Sequence, residues 1–178
     1  MTEKISPTYE RIIVNDLLVL EQLSPSDAGK VFSLVESSRT ELQEYLPWVE
    51  HTNTPDDTET FILKTLNDRK TGESYHYGML FDDELVGHIS LMHVDVKTEP
   101  EIGYWIATKA AGKGITSEAV KALTAFGLET LGLDNIVIKA EPSNVASNKV
   151  AKKCGYIYDG QENYAYVGTV VNNWRIYK

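Results

Sequence analysis

Apolar and polar positions alternate in a way that divides the chain into short strands and amphipathic helices. Residues 17–23, "LLVLEQL", read as a first strand. In "SPSDAGKVFSLVESS", Ser24 caps a helix, Pro25 takes its first position and Asp27 sits in its first turn. A second helical piece runs to "YLPWV" at 45–49, where Pro47 is expected to stop it. The segment "TPDDTETFILKTLNDRKTG" repeats this grammar: Thr54 as cap, Pro55, two early aspartates, an apolar stripe through Phe61 and Leu66, and Gly72 as terminator. Residues 74–81 and 84–94 form two strands about a tight acidic turn. Residues 101–107, "EIGYWIA", make a further strand with Gly103 inside it, the mark of a bulge or a close backbone approach.

The second half continues in the same manner. "ITSEAVKALTAFGLETL" is a helix with Ile115, Ala119, Leu123 and Phe126 on one face, ended by Gly132. Residues 135–141, "NIVIKAE", are a β-branched strand closed by Pro142. "NVASNKVAKKCG" is a short helix with Ala146, Val150 and Cys154 on one side and Gly155 after it, and "YIYDG" and "NNWRIYK" are closing strands. The order predicts an α/β (α+β) domain with a partly antiparallel sheet and helices on both faces.

Composition narrows the partners. The 178 residues fit one domain, 1–178. Seventeen basic against 26 acidic residues give a net charge of −9. That balance argues against nucleic acid or an anionic membrane as partner and suits a cation such as an amine. The single Cys154 excludes an internal disulfide and fits a reducing compartment. "MTEKISPTYE" lacks a signal peptide's apolar core, and no apolar run approaches ~20 residues, so a cytoplasmic location is expected. His51, His76, His88 and His93 are scattered, and the last two would face opposite sides of one strand, so no metal centre is expected. Tyr45, Trp48, Tyr75 and Tyr77 could line an amine pocket or fill the core.

The candidate chemistry begins at "AAGKGITSEA", 110–119, between a strand and a helix. Two glycines remove side chains that would hold a ligand off, and exposed amides at a helix start attract an anion. The stretch is expected to cradle a diphosphate with main-chain amides at 112–116. It is neither a P-loop, since Ala107 stands five residues before Gly112, nor a dinucleotide fingerprint, since position 117 is serine. An ordinary turn without a ligand is the alternative. Further on, Asn144 and Ser147 head a short helix, with Lys149 and Lys153 one turn apart. Alone these read as a cap and a solvated face; with the loop they form the second wall of one site.

"EIGYWIATKAAGKGITSEAVKAL" and "PSNVASNKVAKKCGY" together resemble the GCN5-related N-acetyltransferase (GNAT) superfamily, and within it the RimJ/RimL type, which acetylates ribosomal-protein N-termini. "YLPWV" and "NNWRIY" are similar to that type too. The resemblance implies the GNAT fold: a mixed, mostly antiparallel sheet split into a V between strands 101–107 and 135–141, with acetyl-CoA in the V. It implies cofactor contacts from Trp105, Ile106 and Ala107, from Ala111, Gly112, Lys113, Gly114, Ile115 and Thr116, and from Asn144, Ser147, Lys149 and Lys153. The family loop is Gln/Arg-x-x-Gly-x-Gly/Ala; Gly114 matches it, whereas Ala111 and Thr116 depart. Ser147 matches the position implied to protonate the departing thiolate. The tyrosine that many relatives carry four residues on is Ala151 here.

The usual glutamate base falls on Ala165, which leaves Glu101 and Glu162 as candidates. The implied reaction is direct acetyl transfer to a primary amine, with strand amides near Trp105 and Ile106 polarising the carbonyl. Without the usual glutamate, an α-amine of pKa ~7.8, about a tenth neutral at pH 7, is a better acceptor than a lysine of pKa ~10.4. A ribosomal protein N-terminus is the implied substrate. A small-molecule amine (polyamine, amino acid or aminoglycoside) and a silent acetyl-CoA-binding module remain alternatives. By analogy, the last strands would form a homodimer.

Overall fold

A computed structural model describes residues 9–96 and 99–178, and its frame is an eight-stranded sheet. The strands are β1 (Arg11–Ile13), β2 (Leu18–Glu21), β3 (Tyr75–Phe81), β4 (Glu84–Met92), β5 (Glu101–Ile106), β6 (Asn135–Ala140), β7 (Ile157–Tyr164) and β8 (Thr169–Tyr177). In space they run β1-β2-β3-β4-β5-β6-β8-β7, and every neighbouring pair is antiparallel except β5–β6. The helices are α1 (Ala28–Ser37), α2 (Arg39–Leu42), α3 (Pro55–Thr71), α4 (Ile115–Ala125) and α5 (Val145–Lys153). On one face, α1 and α3 pack Val31, Val35 and Ile62 with Trp105. On the other, α4 packs Ala119, Val120 and Leu123 with Met79, Ile89, Leu91, Ile102 and Ile136, and α5 adds Ala151. This is the mixed α/β sheet with helices on both faces that the pattern predicts.

Local chemistry explains most boundaries. The Ser24 N–H donates to Asp27 Oδ2 at 2.8 Å, and the Thr54 N–H donates to Asp57 Oδ2 at 2.8 Å. These reciprocal caps satisfy amides that a helix start leaves orphaned. Asp82 and Asp83 turn the β3–β4 hairpin with φ of +52° and +60°. Gly72 ends α3 in the left-handed region, at φ +77°.

Several expectations need correction. The first strand shortens to Leu18–Glu21 and gains a partner, β1, whose three residues carry too little pattern to be read. Pro47 opens a 3₁₀ turn, Pro47–His51, instead of ending a helix; at a first helical position it lacks only an N–H that would be unpaired anyway. On α3 the fully buried residue is Ile62, whereas Phe61 is 42% exposed, because this helix roofs a cavity as well as a core. On α5 Ala151 is buried and Ala146 exposed. The 84–94 strand ends at Met92, and His93 takes φ +58°. Most of "MTEKISPTYE" lies outside the described residues.

One discontinuity positions the site. β5 and β6 share a single register pair, Glu101↔Val137, where the Val137 N–H donates to the Pro100 carbonyl at 2.8 Å. Beyond it the strands part and a V opens. On its other edge β5 is fully paired with β4, through Gly87↔Ile106 and His88↔Trp105. The Ala107 N–H donates to the Val86 carbonyl at 2.7 Å. Antiparallel alternation then aims the amides of Trp105 and Gly103 at β4, and those of Tyr104 and Ile106 into the V.

Candidate active site

The glycine loop and α5 face each other across the mouth of the V. Gly112 and Gly114 adopt φ of +78° and +77°, which few residues with side chains tolerate. A Cβ built on Gly112 meets nothing within 4 Å, so the main chain there borders open space. Gly114 is the N-cap of α4 and offers no side-chain cap, so the first-turn amides keep their donors free of one. A Cβ on Gly114 would lie 3.9 Å from Lys153 Nζ, which brings the second wall to the loop. Lys113, Lys149 and Ala111 are exposed around it, Thr116 is half-buried, and Ile115 anchors the turn in the core.

On α5, the Ser147 N–H donates to Asn144 Oδ1 at 3.1 Å, so Asn144 caps its own helix. Ser147 Oγ lies 2.8 Å from the Tyr104 hydroxyl, which reaches across from β5. The Tyr45 hydroxyl donates to the Ser143 carbonyl at 3.2 Å and closes the rim. Cys154 donates its thiol to the Ser117 carbonyl at 3.3 Å, and burial pushes its pKa up, so it is no nucleophile.

Behind the V lies a cavity of about 660 Å³, roofed by α3. Its floor is a grid of three strands set by register. Met92 pairs with Glu101, His76 with Ser90 and Ser90 with Gly103, Gly78 with His88 and His88 with Trp105. Of the bulge or close backbone approach expected at Gly103, the bulge is absent, because the β4–β5 register runs unbroken; the glycine makes room for the Met92 side chain, whose Cε a Cβ would meet at 3.1 Å. Walls of Tyr45, Trp48, Phe61 and Tyr166 complete the enclosure. Trp48 packs on Trp105 with ring centroids 6.0 Å apart.

Glu101 stands at the root of the V, on the cavity floor and 8% exposed. The Tyr164 hydroxyl donates to its Oε2 at 3.3 Å. Burial pushes the carboxyl's pKa up, while Lys139, His93 and the Tyr164 hydrogen bond pull it partly back. Lys139 lines the same cavity and bonds Glu162 Oε1 at 2.7 Å and Glu99 Oε2 at 3.0 Å. Burial alone would lower its pKa, but those two carboxylates hold it at about 12. His76 Nδ1 and His88 Nε2 lie 3.2 Å apart. Burial, with Lys64 and Arg69 nearby, lowers His76 to about 4, so the pair is neutral. Among the described residues no cluster of three potential metal ligands occurs, and no helix is long and apolar enough to cross a membrane.

The structure therefore brings Glu101, Tyr104, Trp105, Asn144, Ser147, Tyr45 and Trp48 to one cavity. It does not bring Glu162, which points at Lys139 and stays outside the lining. Nor does it bring Tyr75 and Tyr77, which strand alternation sends to the opposite face. There the Tyr77 hydroxyl donates to the Tyr9 carbonyl at 2.7 Å, and Tyr75 packs on Phe126. The Trp105 amide is likewise turned toward β4, so Tyr104 and Ile106 supply the free strand amides. Ala165 sits exposed in the β7–β8 turn. Sequence reasoning missed Tyr104, Lys139, Tyr164, His76 and His88, all of which need the strand register to be placed.

Free amides on β5, an open glycine loop at a helix start and a lysine beside it fit the acyl arm and diphosphate of an acyl-coenzyme A. Those features define an acyltransferase. The family model described as "Acetyltransferase (GNAT) domain" matches residues 18–157, and the chain belongs to that family. It is an acetyl-CoA-dependent N-acetyltransferase. The chain is 29% identical over 152 residues to the ribosomal-protein-serine acetyltransferase of Escherichia coli (strain K12), covering 85% of each chain. Among solved structures it is similar to RimL, the ribosomal L7/L12 α-N-protein acetyltransferase with coenzyme A, at TM-score 0.88 and 24% identity over 94% of this chain and 98% of that one. It is also similar to the microcin C7 self-immunity acetyltransferase MccE with acetyl-CoA and AMP, at TM-score 0.88 and 23% identity over 96% and 98%.

Proposed function

We propose that this chain acetylates the N-terminal α-amine of a protein, with Glu101 as general base and Ser147 as general acid. The observation that carries the reading is the place of Glu101, a buried carboxyl at the root of the V and on the floor of the cavity. Its raised pKa makes it a stronger base than an exposed carboxylate once ionised. It receives the amine's proton directly or through one water. The amides of Tyr104 and Ile106 supply donors to the carbonyl oxygen as charge grows on it. Ser147 gives its proton to the departing sulfur. The loop at 112–116 and Lys153 would hold the diphosphate, and the bound coenzyme supplies the activated acetyl group.

The acceptor class follows from the ease of deprotonation, since the amine must be neutral to attack. An α-amine is about a tenth neutral at pH 7, whereas a lysine is neutral in about one molecule in several thousand. The relatives named for ribosomal proteins support a ribosomal protein N-terminus as the natural acceptor.

The test is thiol release from acetyl-CoA with a panel of acceptors. Peptides with free N-termini, Nα-blocked lysine peptides, spermidine and free amino acids are compared. Turnover concentrated on the free-N-terminal peptides is expected. Turnover confined to spermidine or amino acids overturns the acceptor class.

A further inference from the structure

The Tyr104 hydroxyl is bound to a residue of the site and not to the core around its ring. Its oxygen lies 2.8 Å from Ser147 Oγ and 3.3 Å from the Ser147 carbonyl, 43 residues away in the chain. The ring is held by the cluster beneath α4. Ser147 is fixed in turn, because its N–H is taken by Asn144 Oδ1 at 3.1 Å. Burial pushes the phenol's pKa up, so it keeps its proton throughout the neutral range. Of the two hydroxyls the phenol is the more acidic and the better donor. A serine that accepts Tyr104's proton has only its own proton left to place, and that proton must turn away from Tyr104.

We propose that Tyr104 is a positioning residue: its hydroxyl donates to Ser147 Oγ and aims the Ser147 proton into the gap between β5 and β6, at the sulfur of bound coenzyme. The inference rests on the reading of Ser147 as general acid. In the transfer, the carbon–sulfur bond breaks and its electron pair goes to sulfur. Ser147 gives sulfur a proton and regains one from water. The amine's proton leaves through Glu101, so the net exchange is acetyl for hydrogen. Tyr104 keeps its proton throughout.

The aim of that proton is measurable without turnover. A hydroxyl directed at sulfur favours the thiolate of free coenzyme A over desulfo-coenzyme A, which has no sulfur. Calorimetric affinities for both probes between pH 6 and 10 give the preference. In the unmodified protein it is expected to grow with pH, to roughly tenfold, the worth of one hydrogen bond to a charged atom. Tyr104→Phe and Ser147→Ala should each abolish most of it, and the double substitution should add nothing further. With a turnover-competent peptide, Tyr104→Phe should lower kcat and leave the KM for acetyl-CoA within twofold.

If Ser147→Ala loses the preference and Tyr104→Phe keeps it, Tyr104 does not position the serine. If both keep it, Ser147 does not face the sulfur and the acid assignment itself fails. If the double substitution loses more than either single one, the two hydroxyls act independently and the proposal is overturned. Tyr104→3-fluorotyrosine retains ring and hydroxyl and covers the case of a misfolded phenylalanine variant. Its more acidic phenol should strengthen the preference, and a weaker one overturns the proposal.

Discussion

Glu101 and Lys139 line one cavity and share a field, so each sets what the other can do. Glu101→Gln should lower turnover by roughly 10²-fold or more, the usual worth of a general base. It should also move the pH–rate profile to higher pH, since only the amine's own deprotonation then limits the reaction. Coenzyme A affinity, measured by calorimetry, should not change. Lys139→Met removes a charge that pulls the Glu101 pKa down and takes the ion-pair partner from Glu162, while Glu99 keeps Arg175. The Glu101 pKa must rise, and the acid limb of the rate profile must move to higher pH with it. A limb that stays in place would show that Glu101 is not the titrating base.

His76 gives a prediction about stability. Its pKa falls from 6.5 to about 4 on folding. Between those values the unfolded chain binds a proton that the folded chain refuses, so stability drops as pH falls through that window and levels off below it. The loss is roughly 3 kcal/mol for this residue alone. Urea midpoints at pH 7 and 4.5 should show most of it, and His76→Gln should reduce the difference, leaving the share of buried His88, whose pKa is also pushed down. The quoted motifs led to Asn144 and Ser147, which line the cavity, and to Gly114, which starts α4. Tyr104 lay inside a quoted motif without a role of its own and the two histidines carried no motif, because only the fold sets which strand residues meet.

Elements were more legible than residues, because caps and turns are local chemistry. Ser24, Thr54 and Gly72 mark their boundaries through hydrogen bonds within four residues. Pro47 misled because proline both ends and begins helical turns, and the sequence alone does not say which. Two glycines test how elements meet. A Cβ on Gly87 would lie 2.4 Å from the Trp105 carbonyl oxygen and 2.9 Å from Ile106 Cα. Gly87→Ala must therefore push β4 and β5 apart, at a cost above ~3 kcal/mol, visible as a large fall in melting temperature. Gly112 borders open space, so Gly112→Ala adds no clash and costs about 1 kcal/mol of left-handed strain. Its added methyl should weaken coenzyme A binding by roughly tenfold, the worth of about one hydrogen bond.

At the scale of the whole molecule, the alternation of strands and helices predicts a mixed sheet clothed on both sides. The V itself came from resemblance, since nothing in residues 101–107 or 135–141 announces that they pair once and then part. That parting has a consequence for exchange with solvent. In the middle of an eight-stranded sheet, hydrogens on backbone nitrogen ordinarily survive for hours. Here those on Tyr104 and Ile106 have no neighbouring strand and should be lost to heavy water almost as fast as in a loop, while Trp105 between them stays labelled. Adding coenzyme should slow that pair selectively, as though a ninth strand had been slid into the vacancy.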